Sequence, residues 1–418
     1  MAEARFLAAA DLHLGRPIAS LPEALRGEAH TLGPLGALER IVDLALQERV
    51  DAVLLAGDVV DDDGAYFEVF SAIQSATARL DGIPIIAVAG NHDAAVLPKL
   101  AEAIDGLTLI GAGGRWQAVD LPTAAGTVQV LGWSFPQSHH RDSPFQTPPP
   151  RADGPRIGLL HGDLDTTSSV YAPFTRAELR EHAADAWLLG HVHVPSTGGL
   201  AVDRPAGYLG SACGLDPSES GPRGAWVVTL DGSGVALDHR PLAPIAWAHR
   251  AIEGDQLDPS TLEDTLFRSA SDACERADGA EAVGVRFTLR GTHEQWRAIA
   301  GRAESLDLGR PWSVGARRVF IERVRCDLSA PFDLHALAQE RSVAGRIAAL
   351  ILELEAGEGG AIVAQAEAAF GNVAAERPFR MPSLGESALP APEAKGLLVR
   401  EARDLLGRLV AQRDGERC

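Results

Sequence analysis

The stretch DAVLLAGDVVD, residues 51–61, places two carboxylates directly after a run of apolar residues. The apolar residues Ala52–Ala56 predict a short buried strand, because a strand covered on both faces lacks polar alternation. Gly57 then allows the backbone to turn tightly, and Asp58 and Asp61 follow. In open α/β sheets, ligands bind at the carboxyl ends of the strands. The stretch therefore predicts a parallel α/β sheet with a polar site along that edge.

Four further motifs of this kind occur in the first half of the chain, and most of them also follow an apolar run. They are Asp11-Leu12-His13, Gly90-Asn91-His92-Asp93, His161-Gly162-Asp163 and Gly190-His191-Val192-His193. Segments with helical periodicity, such as Leu35–Gln47 and Tyr66–Leu80, lie between the first motifs. This repetition of strand, motif and helix predicts a layered α/β fold.

The chain has 418 residues, enough for two or three domains. All five motifs lie within residues 1–244, which we interpret as one domain. Residues 245–330 alternate strand-like and helix-like segments without such a motif and predict a small α+β domain. Residues 331–418 have a helical pattern with apolar stripes, beginning with a helix over Leu334–Leu354. Periodicity leaves open whether these stripes pack onto the chain or bind a helix of a partner.

The formal net charge of −19 disfavours non-specific binding to phosphates. Proteins that grip long DNA with their own surface usually have a basic face. The composition therefore leaves three alternatives: the chain acts on small phosphoesters, contacts DNA only at a local patch, or relies on a partner's grip on the DNA.

Targeting signals are not evident in the sequence. No apolar run approaches the ~20 residues that span a bilayer. The segment before Asp11 lacks the basic region of a signal peptide, and cleavage there would remove Asp11 and His13. The four cysteines are scattered and indicate neither a disulfide framework nor a zinc motif. We expect a cytoplasmic protein that does not associate with membranes.

The motif residues offer oxygen and imidazole ligands for a pair of divalent cations. Two cations about 3.5–4 Å apart can generate hydroxide and hold both oxygens of an in-line displacement at phosphorus. Asp58 is the candidate for the bridging carboxylate. Asp11 and His13 lie two residues apart, as do His191 and His193, so on extended backbone each pair points to one face. The mixed ligand set favours Mn²⁺, with Fe or Zn²⁺ as alternatives.

His92 follows a ligand candidate, Asn91, and is expected to reach the site without binding metal. Its predicted role is to stabilise the transition state and to protonate the leaving oxygen. Asp61, three residues beyond Asp58, is predicted to orient His92 as a carboxylate–imidazole pair. A metal-bound hydroxide is the predicted nucleophile.

The five motifs together resemble those of the calcineurin-like metallophosphoesterase superfamily, whose pattern is DxH, GDxxD, GNHD/E, H and GHxH. The resemblance covers residues 5–240 and implies a layered αββα sandwich. It assigns to one metal the ligands Asp11, His13, Asp58 and His193. It assigns to the other metal the ligands Asp58, Asn91, His161 and His191. It also makes His92 the catalytic histidine, supported by Asp61.

Within that superfamily, the segments Ala9–Gly15, Tyr208–Ser211 and Glu219–Ala225 are similar to those of SbcD- and YhaO-type DNA-repair exonuclease subunits. Residues 245–330 then occupy the place of their capping domain. The resemblance implies a two-metal DNA exonuclease that works with an SMC-like ATPase, with the C-terminal helices as the docking segment. It also implies a homodimer, although more weakly.

Two other functions remain open at this point. The first is a phosphodiesterase or phosphatase of nucleotides or other small phosphoesters, although small-substrate members of the superfamily usually lack such a C-terminal extension. The second is a non-catalytic scaffold for an SMC-like ATPase. A purely structural origin of the motifs is disfavoured, because short motifs gain specificity only when several occur in the right structural context.

Overall fold

The computed structural model describes residues 3–61, 66–151, 154–166, 168–182, 184–196, 205–329, 331–375 and 391–415. The chain forms two compact units. The first contains residues 1–248, 271–285 and 309–322, and the second contains residues 249–270, 286–308 and 323–418. The division into three domains at residues 244 and 330 stays a prediction.

The strands of the described residues are, in chain order, β1 (Ala4–Ala9), β2 (Ala52–Ala56), β3 (Ile85–Val88), β4 (Leu107–Leu109), β5 (Gln117–Thr123), β6 (Gly126–Trp133), β7 (Arg156–His161), β8 (Ala186–Gly190), β9 (Ala206–Tyr208), β10 (Gly224–Asp231), β11 (Gly234–Pro241), β12 (Ile245–Glu253), β13 (Ala282–Thr292), β14 (Trp312–Val314) and β15 (Arg317–Ser329). The α-helices are α1 (Ala29–Leu32), α2 (Pro34–Glu48), α3 (Tyr66–Leu80), α4 (Leu97–Ala103), α5 (Arg176–Glu181), α6 (Leu262–Glu275), α7 (Trp296–Glu304), α8 (Leu334–Ala338), α9 (Val343–Glu355), α10 (Gly360–Ala375) and α11 (Ala391–Gly415).

Two sheets form the centre of the first unit. One has six strands in the order β11-β10-β1-β2-β3-β4, and the other has five in the order β5-β6-β7-β8-β9. Strands β1 to β4 run parallel in the first sheet, and β6 to β9 run parallel in the second. Each sheet therefore gathers the carboxyl ends of several strands at one edge, where α/β folds build their sites.

Alternating residues of the inner strands face two different apolar layers. In β1, Phe6 and Ala8 pack with residues of the five-stranded sheet such as Val130 and Leu159. The intervening residue Leu7 packs against the helices α2, α3 and α4. This follows from the period of two in a strand. A further apolar cluster covers the outer face of the five-stranded sheet and includes residues of α5. The layered αββα sandwich is thereby confirmed.

The elements before the site follow the sequence pattern closely. β2 and α3 have the predicted bounds, and α2 extends the predicted helix by one residue at each end. Pro34 stands at the start of α2, where its missing N–H costs no hydrogen bond. Arg49, with a φ of 53°, ends that helix in the left-handed conformation. Helix α2 therefore closes just before the strand that leads to Asp58.

A four-stranded sheet has the order β12-β13-β15-β14. Its strand β14 is an edge strand of three residues that the sequence pattern did not indicate. Helices α6 and α7 fall within the part of the chain where helical patterns were predicted.

The predicted continuous helix over Leu334–Leu354 is wrong, because the chain forms two helices, α8 and α9, there. Asp333 caps α8 by accepting a hydrogen bond from Ala336 N at 3.0 Å. Ser342 caps α9 by accepting one from Gly345 N at 3.0 Å. A serine at an N-cap starts a new helix because its hydroxyl satisfies a free backbone N–H.

Apolar residues of α8, α9 and α11 form one buried cluster, which includes Leu337, Ile351 and Leu406. Part of the apolar stripes therefore packs within the C-terminal segment. Among the described residues, no helix combines the length and the apolar character that a bilayer span would require.

Candidate metal centre

The carboxyl ends of β1 and β2 carry three of the candidate ligands on unusual backbone. Asp11, His13 and Asp58 have φ angles of 50°, 49° and 49°, in the left-handed region that non-glycine residues rarely adopt. The prediction that Asp11 and His13 lie on extended backbone is therefore wrong, and it is also wrong for His191, whose φ is 103°. Cross-strand hydrogen bonds hold this conformation, since Asp11 N donates to Gly57 O at 3.1 Å and His13 N donates to Asp58 O at 3.0 Å.

The carboxyl ends of β7 and β8 carry imidazoles. His161 is the last residue of β7 and is fully buried, and His191 and His193 follow the end of β8. The backbone N–H of His191 donates to Asp11 Oδ1 at 2.9 Å. His161 Nδ1 donates to the carbonyl oxygen of Ala56 at 3.0 Å. These two hydrogen bonds join the two sheets at the site.

The predicted ligands converge in overlapping groups whose ligand atoms lie within 4.8 Å of one another. The groups are Asp11, His13 and His193; His13, Asp58 and His92; and Asp58, His161 and His191. Asn91 Oδ1 lies 3.2 Å from His161 Nε2 and 3.0 Å from His191 Nδ1. His13 Nε2 and His193 Nε2 face each other at 3.2 Å. A set of carboxylate, amide and imidazole donors directed at common points fits divalent cations of the Mn²⁺, Fe and Zn²⁺ type.

Two motif glycines make this convergence sterically feasible. Gly57 has a φ of 89°, and a Cβ at this position would clash with the imidazole of His161. A Cβ at Gly90 would clash with the carboxylate of Asp58. The glycines of the GD and GN motifs are therefore required by the close approach of ligands from other strands.

Asp61 has two imidazole neighbours, although the sequence suggested only one. Its Oδ1 lies 3.0 Å from His13 Nδ1 and 3.6 Å from His92 Nδ1. His92 Nδ1 also lies 3.2 Å from the carbonyl oxygen of Asp61. All nine predicted site residues thus lie together, and their assignment as ligands or catalytic groups stays a prediction.

The carboxylates and imidazoles of the site shift each other's pKa values. Burial opposes ionisation of Asp58, but the neighbouring imidazoles, His161 above all, outweigh it and hold its pKa well below the usual range. Burial likewise opposes protonation of His161, but Asp58 and Asp11 raise its pKa to about 9. Negative charge therefore holds a proton on a buried imidazole, and a bound cation would displace that proton.

Asp93 belongs to the third motif, but the sequence suggested no role for its side chain, and the structure shows what it contacts. Its carboxylate accepts hydrogen bonds from Gly90 N and Val59 N, both at 2.7 Å, and from Val60 N at 3.3 Å. Burial and the nearby Asp58 carboxylate raise the pKa of Asp93 to about 7. The side chain therefore ties the loop after β2 to the loop after β3.

Two further carboxylates contact candidate ligands and were also missed. Asp163 Oδ1 lies 3.3 Å from His191 Nε2, and Glu219 Oε1 lies 2.5 Å from His193 Nδ1. Burial raises the pKa of each carboxyl group, but the hydrogen bond and the charge of its imidazole partner outweigh burial and lower it. The sequence signals were the position of Asp163 two residues after His161 and the place of Glu219 at the start of the segment Glu219–Ala225. Spacing cannot reveal the partner of Glu219.

Comparisons with known proteins identify a matching family model and several similar proteins. A family model described as calcineurin-like phosphoesterase matches residues 4–195. The uncharacterised metallophosphoesterase YhaO of Bacillus subtilis is 25% identical over 304 residues, which cover 70% of this chain and 72% of that protein. The DNA double-strand break repair protein Mre11 of Haloferax volcanii is 29% identical over 265 residues, which cover 60% of this chain and 56% of that protein. A crystal structure of a dimetal phosphatase from Danio rerio is similar at 12% identity and a TM-score of 0.36, over 56% of this chain and 96% of that one.

The family match spans β1 to β8 and the five motifs from Asp11 to His193, so it covers the strands that build the site. It confirms the resemblance drawn from the motifs. The chain therefore contains a calcineurin-like metallophosphoesterase domain, of a superfamily whose members hydrolyse phosphoesters at a dinuclear metal centre.

Proposed function

We propose that the protein hydrolyses phosphodiester bonds in DNA with two divalent cations, Mn²⁺ in the first instance, as an exonuclease subunit. The observation that carries the proposal is that donor groups from both sheets form overlapping sets of three, with the ligand atoms of each set within 4.8 Å of one another. One cation would be held by Asp11, His13, Asp58 and His193, and the other by Asp58, Asn91, His161 and His191. Bound cations supply Lewis acidity toward the phosphoryl oxygens and an activated water as nucleophile.

His92 is the proposed general acid of this reaction. The Asp61 carbonyl and carboxylate oxygens lie 3.2 and 3.6 Å from His92 Nδ1. These contacts to Nδ1 orient the ring, so that Nε2 is the nitrogen that would give a proton to the leaving oxygen. The side chain of His92 is 42% exposed, which leaves room for a substrate beside it.

Two observations support DNA as the substrate. One of the relatives reported above is named for DNA double-strand break repair, and it shares 29% identity with this chain. The part of this chain beyond the family match is large, and small-substrate members of the superfamily usually lack such an extension. That this chain shares the activity of such relatives as whole proteins is part of the proposal.

The net charge of −19 is the reason for adding a partner to the proposal. A protein this acidic lacks the electrostatic attraction that dominates DNA affinity. An SMC-like ATPase would supply the DNA grip and would dock on the C-terminal helices. Val343 of α9 is 67% exposed and Leu405 of α11 is 49% exposed, so apolar surface is available there. A homodimer and a cytoplasmic location belong to the same proposal.

The second candidate function is hydrolysis of nucleotides or other small phosphoesters. The same acidic charge favours it, because a small substrate needs no extended basic face. The third candidate is a scaffold for the ATPase without catalytic activity. It predicts that the protein does not hydrolyse phosphoesters, although the full set of candidate ligands is present.

The test is Mn²⁺-dependent cleavage of linear single- and double-stranded DNA alongside bis-p-nitrophenyl phosphate. The wild-type protein is compared with Asp58→Asn and His92→Ala. Loss of DNA degradation in both variants supports the nuclease. Turnover of the small diester with DNA left intact, also after addition of the ATPase partner, supports the small-substrate function instead. Equal background rates in all three proteins support the scaffold.

A further inference from the structure

Each of the four candidate imidazole ligands uses one ring nitrogen toward the cluster and the other toward an acceptor of the protein. The acceptors are Asp61 Oδ1 for His13 Nδ1, Ala56 O for His161 Nδ1, Asp163 Oδ1 for His191 Nε2 and Glu219 Oε1 for His193 Nδ1. A hydrogen bond of this kind fixes which nitrogen carries the proton and which has a free lone pair.

Glu219 has the most closely defined geometry among these acceptors. Its Oε1 accepts from His193 Nδ1 at 2.5 Å, and its Oε2 accepts from Leu215 N at 3.0 Å. Both oxygens therefore have a donor, and the side chain is only 15% exposed. A largely buried carboxylate with both oxygens engaged holds its partner imidazole in one orientation.

The other nitrogen of His193 belongs to the first cation position. His193 Nε2 lies 3.2 Å from His13 Nε2, and both residues form a group with Asp11. With the proton held at Nδ1 by Glu219, the Nε2 lone pair is free to bind a cation. Glu219 adds negative charge behind the ligand, which makes the imidazole a stronger donor.

Asp163 contacts a candidate ligand of the second cation position in the same way that Glu219 contacts His193. Its Oδ1 lies 3.3 Å from His191 Nε2, and its Oδ2 accepts a hydrogen bond from Ser169 Oγ. The opposite nitrogen, His191 Nδ1, lies 3.0 Å from Asn91 Oδ1. The two carboxylates thus act on different histidines, and each histidine belongs to a different cation position.

We propose that Glu219 and Asp163 are positioning residues that support the two cation positions separately, Glu219 through His193 and Asp163 through His191. The inference rests on the two-metal centre of the proposed function but not on its DNA substrate. It implies that the Mn²⁺ affinity of one position can be lowered while the other position keeps its affinity.

The experiment is calorimetric titration of the metal-free, full-length protein with Mn²⁺, together with electron paramagnetic resonance of the loaded protein. The wild type is expected to bind two Mn²⁺ ions with a spin-coupled spectrum. Glu219→Ala should weaken one Mn²⁺ binding event by about 10- to 100-fold and leave the affinity of the other unchanged. With only one position filled, the spectrum should then show uncoupled Mn²⁺. Glu219→Gln should weaken it less, because one amide oxygen still accepts a hydrogen bond.

Asp163→Asn is the matched variant for the second position, and the double variant with Glu219→Gln should weaken both events. Glu102→Gln, on the exposed surface of α4, controls for the loss of one negative charge and should leave both events unchanged. Thermal unfolding without metal identifies variants that are merely destabilised, and Glu219→Gln keeps the test valid if Glu219→Ala does not fold.

Two results would overturn the inference. The first is that both Mn²⁺ affinities stay at the wild-type value in Glu219→Ala and Asp163→Asn. The second is that each variant weakens both events equally, which would mean that the carboxylates support the loops and not particular ligands. Failure to bind any Mn²⁺ in the wild type would instead remove the proposed function itself. Normal titrations with no DNA cleavage would remove only its substrate.

Discussion

The two sheets of the sandwich contribute different chemistry to one site. The six-stranded sheet supplies the oxygen donors Asp11, Asp58 and Asn91, whereas the candidate ligands from the five-stranded sheet are all imidazoles: His161, His191 and His193. The six-stranded sheet also supplies the imidazole of His13, so both carboxylate ligands and the bridging candidate come from one sheet, whereas imidazoles come from both. Neither sheet has a complete set of ligands for two cations, so the site exists only when the sheets are packed together.

The two sides are also held in place differently. On the six-stranded side, the three candidate ligands that follow β1 and β2 lie on left-handed backbone, and the carboxylate of Asp93 accepts hydrogen bonds from the N–H groups of two loops. On the five-stranded side, a carboxylate orients the ring of His191 and of His193, and a backbone carbonyl orients the ring of His161. Backbone geometry therefore positions the candidate carboxylate ligands, whereas hydrogen bonds to the second ring nitrogen orient the imidazoles.

The largest effect is expected from Asp58→Asn, which removes the bridging charge of the six-stranded side. Phosphodiesterase activity should fall on the order of 10⁴-fold, since two-metal charge stabilisation provides several kcal/mol. Initial rates with bis-p-nitrophenyl phosphate measure the change, and Asp105→Asn, an exposed aspartate, is the control. Retention of more than a tenth of the activity would contradict the bridging role.

His92→Ala should lower the rate about 10³-fold, within the range of general acid catalysis, while both Mn²⁺ ions still bind. His191→Ala should lose one Mn²⁺ as well as activity, because it removes a candidate ligand of the imidazole side. Rates and Mn²⁺ stoichiometry measured on the same preparations separate the two histidines. Equal loss of metal in both variants would refute a purely catalytic role for His92.

Metal removal should destabilise the protein, because the candidate ligands come from both sheets, and cations held by them would join the sheets and bind only the folded chain. At a free Mn²⁺ concentration 100 times the dissociation constant, the stabilisation is about 2.7 kcal/mol for one site. Thermal unfolding with Mn²⁺ and with chelator measures it, and Asp58→Asn should show little difference between the two conditions. An unchanged unfolding temperature in the wild type would argue against a metal that links the sheets.

The pH dependence of the metal-free protein should separate the two sides. The pKa of Asp93 is raised to about 7, so its favourable contribution is full below the ordinary aspartate pKa and is lost as pH rises toward 7. The pKa of His161 is raised to about 9, so its contribution is full below about 6.5 and is lost as pH rises through 9. Unfolding free energy should therefore fall from pH 5 to pH 9.

Denaturant titrations across this range provide the measurement. Asp93→Asn should reduce the fall in unfolding free energy below pH 7. Saturating Mn²⁺ should reduce the fall above pH 7, because a cation would replace the proton on His161. Stability that rises with pH in the metal-free wild type would contradict both assignments.

The smallest effect is expected from Tyr208→Phe, on the five-stranded side. The Tyr208 hydroxyl donates to Gly162 O at 2.9 Å and accepts from Leu164 N at 2.8 Å. Its removal leaves one buried and one partly buried backbone group without this partner, which costs about 1–3 kcal/mol. Denaturant unfolding measures the loss, and Tyr66→Phe at the start of α3 is the control. A change in Mn²⁺ affinity larger than that of Asp163→Asn would contradict a purely structural role for this hydroxyl.

Much of the fold could be predicted because its signals are local. The apolar run Ala52–Ala56 and the helical periodicity of Tyr66–Leu80 predicted the observed bounds. The helix predicted over Leu334–Leu354 was broken by a capping serine at 342, a signal that the apolar stripe concealed. The short edge strand β14 has too few residues for its pattern to be distinguished from a loop.

The sequence by itself determined which donor groups exist and that they follow strands, because spacing and periodicity are properties of neighbouring residues. Only the tertiary structure decided which nitrogen of each imidazole faces the cluster. That choice depends on partners far along the chain, such as Asp61, 48 residues from His13, and Glu219, 26 residues from His193. It also decided the left-handed backbone of Asp11 and Asp58, which cross-strand contacts impose and local propensity disfavours.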